Sequence, residues 1–177
     1  MDSDLLINRI QERAHDPEQA VDMVSEMARV ANPPVTRQLL KQAESALGFA
    51  LSGFLRQLYL RVGNGGFGPG YGLIALRGEP TLYGLDLIDL YLKLVNDPPP
   101  PPLNPWPRPY LMIADWGCNI VSVLNMQDGS VLRFNGDDHH DDADPWESVM
   151  LPEAPSLDDW FEDWLLRPGR ERFASYR

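Results

Sequence analysis

"RVGNGGFGPGYG", Arg61 to Gly72, carries six glycines in twelve positions. Gly63, Gly65 and Gly68 satisfy G-x-G-x-x-G, the spacing that cradles a dinucleotide pyrophosphate. The flanking segments decide whether that reading holds. The nucleotide fingerprint needs a strand before the glycines and a helix after them. Here Ser52 caps a helical run whose apolar set is Phe54, Leu55, Leu58, Tyr59 and Val62, a period of 3.6. "YGLIAL", Tyr71 to Leu76, then reads as a strand. The order is the reverse of the fingerprint. No Gly-Lys-Ser/Thr is present for a Walker loop, and Asp86 and Asp89, spaced like a ribose-binding acid, fall on a helical pattern. The stretch therefore predicts a corner, in which Gly and Asn supply positive φ values at little cost, and no cofactor.

Upstream, Ser3 caps a short helix presenting Leu5, Leu6 and Ile10. Asp16-Pro17-Glu18-Gln19 has the form of a second helix start: a capping Asp, Pro at the first helical position, and Gln three residues after the cap. Ala20, Val21, Val24, Met27 and Ala28 would be its apolar face, ended by Asn32-Pro33-Pro34. Thr36 opens a third helix with Leu39, Leu40, Ala43 and Leu47, closed by Gly48.

Downstream of the corner, Tyr83 to Asn96 carries both helical and alternating patterns, and length favours the helix. Five prolines, Pro98 to Pro102, predict a stiff polyproline II connector of about 15 Å. "YLMIAD" (Tyr110 to Asp115), "NIVSVLN" (Asn119 to Asn125) and "SVLRFN" (Ser130 to Asn135) read as antiparallel strands, with Asp128-Gly129 turning the last two. A final helix after Ser156 shows Leu157, Trp160, Phe161, Trp164 and Leu165 on one face, stopped by Pro168-Gly169. Helices first, strands later and no repeating βαβ unit give an α+β class.

The whole chain has 15 Lys+Arg against 26 Asp+Glu, a formal net charge of −11. Such a field repels phosphate backbones and anionic lipid and attracts basic surfaces, so neither nucleic acid nor membrane is an expected partner. No signal peptide or membrane-length apolar run is read, and a lone cysteine, Cys118, suits a reducing interior; a cytoplasmic protein is expected. Cys118 follows Trp116-Gly117 at a strand start and is expected to be a buried structural thiol. His15 is expected at a helix end, and no nucleophile stands out.

"GDDHHDDADPW", Gly136 to Trp146, is the chemically richest segment. Asp137, Asp138, His139, His140, Asp141, Asp142 and Asp144 are metal-ligating types, but neighbours on one loop diverge and the spacing fits neither a zinc helix nor an EF-hand. No metal site is expected. The alternatives are a solvated acidic loop and a docking surface, in which Asp137, Asp138, Asp141, Asp142 and Asp144 form a negative patch beside the aromatic anchor Trp146.

The helical lead-in and turn, Glu44 to Leu76, Asp115-Trp116-Gly117 at a strand end, the later hairpin and a Trp-bearing last helix together resemble the SUKH superfamily, which includes the yeast Smi/Knr regulators and many bacterial immunity proteins. Gly63, Asn64, Gly65 and Gly66 match its turn, Trp116 and Gly117 its mid-sheet motif, and Trp160 and Trp164 its last helix. Leu51-Ser52 stands where the family commonly has Leu-Pro. The resemblance implies one domain: an antiparallel sheet packed by helices over 33–167, an N-terminal extension of two helices over 1–32, and a tail over 168–177. It further implies a non-enzymatic protein that binds and neutralises a toxin, and the charge makes a basic nuclease toxin sensible. The alternatives are a regulatory scaffold of the Smi/Knr type or an Asp/His metal-dependent hydrolase.

Overall fold

A computed structural model describes residues 2–22, 30–78, 84–97, 104–136 and 146–167. Six α-helices occur among them: α1 (Ser3–Ala14), α2 (Arg37–Leu47), α3 (Gly53–Gln57), α4 (Leu87–Asn96), α5 (Trp146–Val149) and α6 (Leu157–Leu166). Four strands, β1 (Tyr110–Gly117), β2 (Ile120–Asn125), β3 (Val131–Asn135) and β4 (Met150–Ala154), form one antiparallel sheet in the order β1-β2-β3-β4. The class is α+β.

Local chemistry sets most of these boundaries. The Thr36 hydroxyl accepts the Leu39 N–H at 3.1 Å, Ser52 the Leu55 N–H at 3.3 Å, Asp86 the Asp89 N–H at 2.9 Å and Ser156 the Asp159 N–H at 3.1 Å. Each takes one of the four donors that a helix start leaves without an intrahelical partner. The Tyr83–Asn96 stretch, ambiguous by pattern, is helical from Leu87 and buries Leu87, Ile88, Leu90 and Tyr91.

The sheet separates two apolar cores. Leu111, Ile113, Leu124 and Val131 face the helices and join the main core with Leu55, Leu58, Trp160, Phe161 and Trp164. Val121, Val123 and Met150 face the other way, under Trp106. β4 was not foreseen from the sequence. Its five residues hold Pro152, which removes a ladder donor and is tolerated because β4 lies at the sheet edge.

The N-terminal segment is bound into this core. Leu6, Ile7, Ile10 and Ala14 of α1 are buried. A helix of twelve residues is marginal alone in water, so this burial, about 1.5–3 kcal/mol for each large side chain, stabilises α1. Arg13 fastens it to α6: its guanidinium donates to the Trp164 and Arg167 carbonyls, lies 4.1 Å from the Trp164 ring centroid and pairs with the buried Asp22 at 3.5 Å. A cation on the last carbonyls of α6 also opposes that helix's dipole.

Two expectations for this half are revised. The Asp16-Pro17 signal makes a single turn: Asp16 accepts the Glu18 N–H at 3.0 Å, but Val21 then pairs in an isolated bridge with Gly68. Ala20 gives its carbonyl to Gly68 N–H at 2.7 Å and Asp22 its N–H to Gly70 at 3.1 Å, so the chain follows the glycine corner there instead of a helix. The rest of that predicted second helix, from 23 to 29, lies outside the described residues, as do Pro98 to Pro102. Tyr71 to Leu76 is likewise not a full strand. It touches β1 through one bridge, Leu73 with Ala114, because Leu73 N–H is taken by Phe67 and Leu76 N–H by the Asn64 side chain.

Candidate functional site

The corner comes first, because its glycines posed the question of a ligand. α3 runs directly into a π-helical segment, Leu58–Val62, and Gly63 N–H reaches back five residues to the Leu58 carbonyl at 3.1 Å. Gly63 itself is extended, with φ 171°; a glycine is required there because a Cβ would stand 2.5 Å from the Asn32 carbonyl oxygen. Gly65 needs both freedoms: its φ is 76°, and a Cβ would lie 2.5 Å from the Leu73 oxygen.

Asn64 was expected to serve as a positive-φ residue, and it does not; Cys118 and Asn119 are the non-glycine residues in that region among those described. Its value is its amide. Asn64 Oδ1 accepts the Leu76 N–H at 2.8 Å and Nδ2 donates to the Arg77 carbonyl at 2.7 Å, acting as a strand neighbour. Tyr59 adds a phenol donating to the Ile74 carbonyl at 2.8 Å; burial, with Asp86 as a lesser cause, pushes this phenol up and keeps it a donor.

A phosphate cradle must present unoccupied backbone donors. In the corner the amides of Gly63, Asn64, Gly66 and Gly68 already donate to the carbonyls of Leu58, Asn32, Leu73 and Ala20. The acids downstream are occupied too. Asp86 caps α4 and accepts the Gly78 N–H at 3.0 Å, while Arg77 pairs with both Asp86 and Asp89. The corner joins elements of the fold.

Trp116 and Gly117 end β1. The Trp116 indole N–H donates to Ser122 Oγ at 2.8 Å, the Ser122 hydroxyl to Glu153 at 2.6 Å, and Arg133 to the other Glu153 oxygen at 2.9 Å. The Arg133 guanidinium stands 5.6 Å from the Trp116 ring centroid, closing the circuit. Ser122 is fully buried, and among the described residues its hydroxyl is held by Trp116 and Glu153 with no histidine beside it. Asp115 next door is buried, which pushes its carboxyl up against the opposing pull of the Gly117 and Trp116 amides.

Cys118 corrects another expectation. It is exposed, at φ 49° in the two-residue turn between β1 and β2, where Gly117 and Asn119 also have positive φ. Trp160 and Trp164 are buried in the main core, and His15 caps the C-terminal end of α1.

Of the expected docking residues, Asp137, Asp138, Asp141, Asp142 and Asp144 lie outside the described residues, with His139 and His140. Both flanks of that segment are described. Gly136 N–H donates to the Asn119 carbonyl at 2.9 Å, setting one flank beside the β1–β2 turn. Trp146 is half-buried rather than a free anchor: its ring meets Trp106 at 5.2 Å and Phe134 at 5.6 Å, and its N–H donates to the Pro105 carbonyl at 2.9 Å. The Trp106 N–H is held in turn by the Tyr110 carbonyl at 2.8 Å. Sequence reading had not assigned Trp106 a role; the three prolines spaced around it, Pro105, Pro107 and Pro109, were the available sign.

Among the described residues no group of three His, Cys, Asp or Glu could hold a metal ion, and no helix is long and apolar enough to cross a membrane. No curated protein matches the chain significantly. Residues 34–163 match the model of the SMI1 / KNR4 family (SUKH-1), whose members are in general protein-interaction modules and not enzymes. With the helix-to-corner joint, the antiparallel sheet and the last helix as far as residue 163, Trp160 included, inside that match, the chain belongs to the SMI1 / KNR4 family (SUKH-1).

Proposed function

We propose that this protein is a non-enzymatic immunity protein that binds a basic protein toxin, such as a nuclease, and blocks it stoichiometrically. The carrying observation is the charge: a net −11, with Asp137, Asp138, Asp141, Asp142 and Asp144 crowded between two anchored flanks. A nuclease grips phosphates with a basic surface, and an acidic inhibitor gains encounter rate and register from that complementarity. Trp146, packed against Trp106 and Phe134, follows the acidic segment in sequence and is an aromatic of the kind that anchors interfaces. The resemblance supplies the immunity role, and protein interaction as the family's general business supports it.

The test is coexpression with the toxin encoded beside the gene, followed by titration of the two purified proteins. One-to-one binding that weakens as salt rises, together with rescued growth, is expected. Replacing the five aspartates with asparagine is expected to slow association about tenfold or more at low salt. Failure to rescue growth, or binding indifferent to both salt and the five replacements, overturns the proposal.

A further inference from the structure

An open groove of about 620 Å³ lies between α2 and the α3/π-helical segment. Arg37, Lys41 and Arg56 line it, with Leu40, Leu60 and Gly53 between them. Three cations on one groove are unexpected in a chain of net charge −11. Among the described residues that line it the single carboxylate is Glu44, and it is occupied: it pairs with Arg56 at 3.4 Å and accepts the Leu51 N–H at 2.9 Å. Arg37 and Lys41 are exposed and, among the described residues, have no ion pair or hydrogen bond. Arg37 also opens α2, whose first turn has no acidic residue, so its charge faces the positive end of the helix dipole.

Gly53 is the second unusual feature. It stands at the first helical position of α3, without a positive φ, and a Cβ there would meet nothing within 4 Å. Neither backbone strain nor internal crowding calls for a glycine, and its absent side chain leaves the groove open.

We propose that this groove docks an acidic segment of a partner protein, with carboxylates against Arg37, Lys41 and Arg56 and an aliphatic side chain over Leu40 and Leu60. The open form and apolar floor suit an extended peptide better than a small anion. The chain's overall negative charge does not forbid this. At physiological salt, fields are largely screened beyond about 8 Å, so the cations beside the ligand outweigh distant carboxylates. Its residues are not those of the acidic segment in the toxin reading, and they are opposite to it in sign.

The probe is a fluorescein-labelled peptide alternating glutamate and leucine, followed by fluorescence anisotropy, with a glutamine-for-glutamate peptide as control. The acidic peptide is expected to bind, more weakly as salt rises, and the control to bind at least tenfold more weakly. The double variant Arg37→Glu/Lys41→Glu is expected to lose about tenfold in affinity, and Gly53→Trp to lose binding by filling the groove. Amide chemical shifts of Gly53 and Gln57 in the unaltered protein should move on titration, a readout that does not depend on any variant folding. No binding, binding undiminished in the double variant, or shifts elsewhere overturns the proposal, as does full competition by inorganic phosphate, which would mark a small-anion site. A toxin that still binds the double variant leaves the immunity reading intact.

Discussion

The glycine corner and the α2–α3 groove are opposites in how they use their polar groups. The corner is conspicuous in sequence, yet the amides of Gly63, Asn64, Gly66 and Gly68 and both ends of the Asn64 side chain are bonded inside the chain. The groove is inconspicuous, built from residues scattered over 37–60, and leaves Arg37 and Lys41 without partners among the described residues. A motif's prominence reports how strongly the backbone constrains its residues. What a surface can bind depends on which groups remain unsatisfied after folding.

Substitutions can break that contrast, and the corner should give the largest effects. Gly65→Ala puts a methyl 2.5 Å from the Leu73 oxygen at a φ of 76°, and is expected to cost about 3 kcal/mol in urea or thermal unfolding. An unchanged midpoint would mean that the corner relaxes freely. Asn64→Ala leaves the buried Leu76 N–H and the Arg77 carbonyl without their side-chain partner, for an expected loss of about 2 kcal/mol.

The groove should behave differently. Arg37→Glu exchanges a cation for an anion at the start of α2 and is expected to stabilise the fold by about 0.5 kcal/mol while weakening acidic-peptide binding. Loss of stability together with loss of binding would make Arg37 a structural residue like those of the corner.

The smallest effect is expected beside the corner, at Asp115, whose carbonyl accepts the Tyr71 N–H. Burial raises its carboxyl pKa in the folded state, so its contribution to stability is fully present below the ordinary aspartate value of about 3.8 and is lost as pH rises through the folded value. Asp115→Asn should therefore show a small gain in stability at neutral pH that disappears on acidification. A gain equally large in acid would show that charge is not its cause.

Legibility followed the range of the interaction. Thr36, Ser52 and Ser156 announced their helices because a cap bonds within three residues, whereas Asp86, read as part of a helical face, caps α4 from outside it. Asp128-Gly129 announced its turn for the same reason, with Gly129 at φ 80° and its N–H on the Asn125 carbonyl at 2.8 Å. Cys118 was misplaced because β2 begins two positions later, at Ile120, and the two-residue turn before it was fixed by the β1–β2 register. Asp16-Pro17 raised a helix start that the chain abandons, since the glycine corner offers Val21 and Asp22 better-placed backbone partners. For the docking surface, sequence supplied the acidic residues and Trp146 but not the packing of that indole on Trp106, forty positions earlier.

Taken alone, the residue order determined the caps at Thr36, Ser52 and Ser156, the Asp128-Gly129 turn and the sign of the net charge, because each depends on neighbours or on a simple sum; it missed Asp2, which caps α1 where Ser3 was expected. Tertiary structure decided the rest. It recruited "MLPEA" as an edge strand, fastened α1 to α6 through Arg13, gave the corner's amides internal acceptors and left two cations over an open groove. Those outcomes turn on which distant groups meet and which are left solvated, and such distances exist only once the chain has closed around its cores.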